Sequence, residues 1–213
     1  MTPQNPTNPA HRRLLALRAE NEAAREDMAA QAPRFRHLAE PGAAPRVIVS
    51  DNLFQTPPVI AELMVKLLAP RAGWRVLEPS VGLGRLVTAL HGYNVEVTAV
   101  DVSQECCDEV LHLRWIPGRL TVCREDFLTV PVTRWPAFDA VLMNPPFRRG
   151  ADIKHTRHAL AMLKPGGRLV GLCYGGTRQE AALRPLAATW RRLPAASFAS
   201  EGTRADVVLF SIG

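Results

Sequence analysis

Phe138-Asp139-Ala140-Val141-Leu142-Met143-Asn144-Pro145-Pro146-Phe147 is the stretch on which the reading of this chain turns. Val141, Leu142 and Met143 are apolar without alternation, as expected of a parallel strand covered on both faces. Two consecutive prolines cannot donate to a strand ladder, so they lie beyond its end. Asn144 therefore falls at the carboxyl end of the strand, and in an open α/β sheet that is the edge at which ligands bind. The same ten residues allow a plainer reading, a buried strand closed by a Pro-Pro turn. The rest of the chain decides between the two.

Upstream, the pattern of a strand ending in a polar group recurs. Trp74-Arg75-Val76-Leu77-Glu78-Pro79-Ser80-Val81-Gly82-Leu83-Gly84-Arg85 reads as strand, glycine turn and helix start, with Glu78 at the strand end and the two glycines letting backbone approach a ligand. The strand from Val95 to Val100 closes on Asp101, placed to accept from ribose hydroxyls or to cap a helix beginning near Ser103. Leu120–Cys123 ends at Glu125-Asp126-Phe127, a carboxylate and a ring suited to the amino group and face of an adenine; the alternative is a solvated loop carboxylate. A dinucleotide fingerprint would want glycine where Val87 stands, and no Gly-Lys-Ser/Thr phosphate loop is present. Further upstream, Phe54-Gln55-Thr56-Pro57-Pro58 precedes an apolar helical face of Ile60, Leu63, Met64, Leu67 and Leu68; Thr56 is expected to cap that helix, with Pro57 in its first position and Pro70 at its end.

Downstream of Phe147 comes a basic run with Arg148, Arg149, Lys154 and Arg157, either a solvated face or a nucleic-acid contact. A helix to Leu163, a turn at Lys164-Pro165-Gly166-Gly167 and a strand over Arg168–Cys173 are expected next. Residues 178–192 read as helical with a break at Pro185, and Ser197–Ser200 with Ala205–Ile212 as a closing antiparallel pair. At the other end, residues 1–8 read as disordered, Pro9 to about Ala32 as an Ala/Arg/Glu-rich helix, Pro41–Pro45 as a linker and Arg46–Ser50 as a short strand. The expected organisation is thus an appendage over 1–45 and one α/β domain over 46–213. That domain is a Rossmann-like, doubly wound, mainly parallel sheet with an antiparallel hairpin at its carboxyl terminus.

Composition narrows the function classes. The chain has 213 residues, 47% of them hydrophobic, and a formal charge of +6, enough for one domain with a sizeable core. The charge is uneven: residues 148–213 carry 11 Lys and Arg against 4 Asp and Glu, whereas residues 41–147 carry 9 against 11. A polyanionic partner would meet the part that follows Phe147. Cys106, Cys107, Cys123 and Cys173 show neither a disulfide framework nor zinc-like spacing, so no metal is expected. With no apolar leader at Met1–Pro9 and no run long enough to span a bilayer, a cytoplasmic protein without membrane partners is expected.

Taken together, these segments resemble class I methyltransferases that use S-adenosylmethionine, and more closely those that methylate the exocyclic amino group of adenine in DNA. The resemblance runs from about Asn52 to Cys173 and, more loosely, takes in the final hairpin. It implies S-adenosylmethionine as cofactor, held by Phe54, Gln55, Thr56, Glu78, Pro79, Ser80, Gly82, Gly84, Asp101, Val102, Asp126 and Phe127. It implies catalysis at Asn144, Pro145, Pro146 and Phe147, the last stacking on a base drawn out of its helix. The order of the segments, with Phe54-Gln55-Thr56-Pro57 first, resembles the permutation in which target recognition follows catalysis. Leu83 and Val81 depart from the family pattern, and the 66 residues after Phe147 leave no room for a separate recognition domain, which points to relaxed specificity or a partner protein. Adenine or guanine in RNA and a protein glutamine amide are alternative acceptors of the same chemistry, with DNA preferred. A binding module without catalysis is the alternative from another class.

Overall fold

The computed structural model describes residues 54–113, 115 and 119–213. The chain divides into two units, Met1–Arg46 and Val47–Gly213. The disordered tip expected over residues 1–8, the helix expected from Pro9, the linker at Pro41–Pro45 and the strand at Arg46–Ser50 lie outside the described residues.

Seven strands form one sheet: β1 (Arg75–Glu78), β2 (Glu96–Asp101), β3 (Leu120–Arg124), β4 (Phe138–Met143), β5 (Leu163–Tyr174), β6 (Thr189–Arg192) and β7 (Val207–Ile212), in the order β3-β2-β1-β4-β5-β7-β6. The first five are parallel, and β7 lies antiparallel between β5 and β6. The chain starts at β1, moves outward to β3, then returns to the other side of β1 with β4. Strand order therefore reverses between β1 and β4, which opens a crevice at their carboxyl ends.

The sequence explains why β4 is central. Ala140, Val141, Leu142 and Met143 are all fully buried, because alternate side chains enter different layers. Val76, Ala140 and Leu142 pack with α1 (Pro58–Leu68) and α2 (Arg85–Ala89), while Leu77, Val141 and Met143 pack with α4 (Ala151–Leu160) and α5 (Thr177–Leu183). Each large apolar side chain so buried contributes roughly 1.5–3 kcal/mol. Between β2 and β3 lies α3 (Gln104–Leu111), capped by Ser103, whose hydroxyl accepts from the Cys106 N–H. Cys106 and Cys107 are small buried groups on α3, and burial pushes the Cys107 thiol up to about 11. No helix among the described residues is long and apolar enough to cross a membrane.

Four local expectations are corrected. Thr56 does not cap α1: Pro57 occupies the cap position, Pro58 opens the helix, and the Thr56 hydroxyl is engaged elsewhere. The helix expected to reach Leu163 ends at Leu160; β5 begins at Leu163 and absorbs the Pro-Gly-Gly segment in a register jump, Phe138 facing Leu163 and Ala140 facing Arg168. Residues 178–192 are not one helix. α5 stops at Leu183, a single 3₁₀ turn holds Pro185, and Thr189–Arg192 is the edge strand β6. Pairing with β7 and the contact of Trp190 on Phe210, ring centres 6.0 Å apart, override the helical composition. Ser197–Ser200 is accordingly turn and 3₁₀ helix rather than a strand, and the closing antiparallel pair is β6 with β7.

Candidate active site

The carboxyl ends of β1, β2 and β4, with the segment after β3, surround a cavity of about 300 Å³, at the lower end of the ~300–1,000 Å³ that suits small organic ligands. It is lined by every residue that the family resemblance assigned to catalysis or cofactor except Phe147 and Gly84.

Gly84 instead acts through packing. It has φ +77°, and a Cβ there would lie 2.7 Å from Leu113 Cδ1 and 3.2 Å from Val110 Cγ2, so only glycine lets the turn start α2 this close to α3. The turn is fixed from the β2 side. Asp101 accepts from the Gly82 N–H and from the Ser103 N–H, both at 2.9 Å, and Val81 N–H donates to the Val100 carbonyl at 3.0 Å. Asp101 thus holds the glycine turn and the segment leading into α3 at once, but the cap itself is Ser103, so the expectation that Asp101 caps this helix is corrected.

Glu78 is buried in the cavity wall. One oxygen, Oε1, accepts from the Ser80 N–H at 3.2 Å, and Oε2 has no partner. Burial above all, opposed by the Ser80 N–H and reinforced by the charge of Asp101, pushes its carboxyl well above the ordinary range. A cation entering the cavity would relieve that cost.

Asn144, immediately after β4, is oriented by the segment before α1. Its Nδ2 donates to the Phe54 carbonyl at 2.8 Å and to Thr56 Oγ1 at 3.0 Å. A carbonyl can only accept, so Nδ2 must face it and the amide cannot flip. The other end, Oδ1, is then a buried acceptor without a partner. Gln55, in the same segment, accepts from Arg85 Nε at 3.3 Å and leaves its own Nε2 without a partner. Among the described residues four buried side-chain polar atoms lack a partner; three of them, on Gln55, Glu78 and Asn144, belong to this cavity. Such groups cost ~1–3 kcal/mol each unless something satisfies them, and their convergence marks a place built for a ligand with both donors and acceptors.

Of the remaining candidates, Val102, Asp126 and Phe127 also line the cavity, whereas Phe147 and the basic residues after it do not. Val102 is 63% exposed beside the cavity. Asp126 is exposed and accepts from the Leu128 N–H at 3.0 Å, while the Phe127 ring is buried against His158, centroids 4.9 Å apart, rather than presented as a free face. Phe147 stacks on Phe54, 6.2 Å between centroids and 14° between planes. Arg148, Arg149, Lys154 and Arg157 are exposed and make no ion pair among the described residues. Arg178 joins them: its guanidinium carbon lies 2.9 Å from where a Cβ on Gly150 would sit.

Sequence reasoning missed Arg85, Glu125 and His155 as lining residues. His155 had a signal: Asp152, His155 and Thr156, spaced i, i+3, i+4, form a buried polar stripe on α4.

No family model matches the chain and no curated protein matches it in sequence. Solved structures match in shape. TrmN from Thermus thermophilus is 24% identical over 73% of this chain and 48% of its own, with a TM-score of 0.59. The N-methyltransferase NodS from Bradyrhizobium japonicum is 16% identical over 77% and 98%, with a TM-score of 0.57, and the [4+2]-cyclase SpnF is 16% identical over 72% and 79%, with a TM-score of 0.58. The chain spans about half the length of TrmN. What it shares with these proteins is the Rossmann-like α/β fold, and since that fold holds both an N-methyltransferase and a cyclase, the reaction has to be argued from the site.

Proposed function

We propose that this chain is an S-adenosylmethionine-dependent methyltransferase acting on planar amino groups, above all the exocyclic N6 of adenine in DNA. The observation that carries the reading is the Asn144 amide, whose donor end is fully used by Phe54 and Thr56 and whose acceptor end is buried, free and at the cavity.

The residues present fit the cofactor. Gln55 Nε2 and the Arg85 guanidinium would take its carboxylate, Glu78 Oε2 its ammonium, Asp101 its ribose hydroxyls and the Asp126 segment its adenine. When bound, the cofactor supplies an electrophilic methyl on sulfur. The chain's own part is to hold the nucleophile. Asn144 Oδ1 and the Pro145 carbonyl accept the two N–H bonds of the target amino group, which localises the nitrogen lone pair, aims it at the methyl and stabilises the positive charge that grows on nitrogen. That nitrogen would take the methyl, leaving the cofactor as the neutral thioether S-adenosylhomocysteine, and would return a proton to solvent. Phe147, beside the cavity, would stack on the flipped base. Arg148, Arg149, Lys154 and Arg157 would hold phosphates, a contact that carries affinity rather than sequence.

The test is transfer of tritiated methyl from S-adenosylmethionine to DNA, RNA and protein extracts in parallel. Label in DNA is expected; label in protein alone would move the substrate to a glutamine amide.

A further inference from the structure

The cavity contains one buried titratable side chain that the mechanism above leaves without a task. His155 on α4 is 8% exposed. Its Nδ1 lies 2.8 Å from the Ala151 carbonyl oxygen, which can only accept, so in the neutral ring Nδ1 carries the proton and Nε2 is an acceptor. Nε2 has no hydrogen-bond partner among the described residues. Burial, the largest influence, holds the imidazole below its ordinary range; the Ala151 carbonyl, Asp126 and Asp152 act the other way and His158 acts with burial. The ring sits 5.7 Å from that of Phe127, inclined at 31°. The wall of the cavity beyond β3 is therefore Asp126, Phe127 and a neutral His155 with an open lone pair.

We infer that His155 sets the nucleobase specificity of this cavity, its Nε2 accepting a hydrogen bond from the exocyclic amino group of a 6-aminopurine. Asp126 uses only Oδ1, on the Leu128 N–H, so Oδ2 can take the second N–H of that amino group. A 6-oxopurine presents an acceptor in the same place and meets two lone pairs instead. The inference rests on the cofactor reading above and identifies the side chain that distinguishes the cofactor's adenine from hypoxanthine.

Calorimetric titration of the full chain with S-adenosylhomocysteine and with S-inosylhomocysteine, in which an oxo group replaces that amino group and N1 carries a proton, tests it. The wild type should prefer the adenine ligand by about tenfold or more, the loss expected when a buried acceptor is left unpaired. His155→Gln keeps an acceptor and should retain the preference within about threefold of wild type. His155→Phe keeps the ring contact with Phe127 but not the acceptor, and the preference should fall by about tenfold. His155→Leu repeats the comparison should the larger ring not be accommodated. In the wild type, the imidazole ¹⁵N signal of Nε2 should move on binding S-adenosylhomocysteine. Failure to bind either ligand would remove the cofactor reading itself. Binding of S-adenosylhomocysteine with the preference unchanged in His155→Phe, or with the Nε2 signal unmoved, would overturn the role of His155 alone.

Discussion

Strands β1 and β4 lie side by side at the centre of the sheet, and their two ends are finished differently. At the amino end polar groups are paired. Asp139 accepts from the Arg75 N–H at 2.9 Å and from Lys164 Nζ at 2.6 Å, and the Arg75 guanidinium donates to the Pro136 carbonyl at 2.5 Å while standing 5.0 Å over the Phe138 ring. At the carboxyl end Glu78 Oε2 and Asn144 Oδ1 are buried with nothing to bind, and Gln55 Nε2 beside them is in the same state. The same two strands thus carry a closed, stabilising end and an open end that keeps unsatisfied groups in place. The difference teaches where to expect stability effects from mutation and where to expect functional ones, since groups left costly in the free fold are satisfied only by what binds.

Breaking the open end at Asn144 should have the largest effect. Asn144→Ala removes the acceptor for the target amino group, and methyl transfer should fall by about 10²–10³-fold, the scale of one lost transition-state contact. S-adenosylhomocysteine affinity, measured by calorimetry, should stay within about threefold, since the role proposed for Asn144 is toward the target amino group.

Glu78→Gln comes next. The folded-state value of this carboxyl is raised, so its burial is harmless below the ordinary carboxylate range and costs stability as pH climbs through the raised value. The variant should therefore melt higher than wild type at pH 8, the difference closing as pH falls toward the ordinary value of 4.5. It should also bind S-adenosylhomocysteine about 30-fold more weakly, having lost the charge proposed to meet the ammonium. Titrations in two buffers of different ionisation heat should show proton release in wild type and none in the variant.

Thr56→Val sharpens the comparison further. It keeps the shape but removes one of the two acceptors that orient Asn144; kcat should drop about tenfold, and Thr56→Ser should restore it.

The smallest effect belongs to the closed end. Partial burial raises the Asp139 carboxyl, but the Arg75 N–H and the Lys164 ammonium outweigh it and hold it below its ordinary value. A lowered carboxyl contributes stability above its unfolded value and loses it as pH falls through the folded one. Asp139→Asn should cost about 1 kcal/mol or less at neutral pH, since the half-exposed Lys164 is screened by solvent. That deficit should vanish in acid, with kcat untouched.

The strand ends were legible because β1, β2 and β4 are apolar runs stopped by Glu78, Asp101 and Asn144, and a buried parallel strand leaves that signature. The parts that escaped depend on distant partners. Thr56 has the composition of a cap, yet its hydroxyl is used by Asn144, 88 residues away. Thr189–Arg192 is only half-buried to exposed, so it lacks an apolar run, and pairing with β7 makes it a strand. His155 stood in a basic run where the i, i+3, i+4 spacing of Asp152, His155 and Thr156 was its one sign, and that this stripe is buried depends on α4 packing against Phe127.

The central claim concerns one atom, the nitrogen that the free Asn144 oxygen is placed to orient. Mass-spectrometric analysis of nucleosides from DNA methylated by the wild-type chain tests it most directly. The account predicts N6-methyladenine. Methyl on a ring nitrogen or on an oxygen of the product would contradict it.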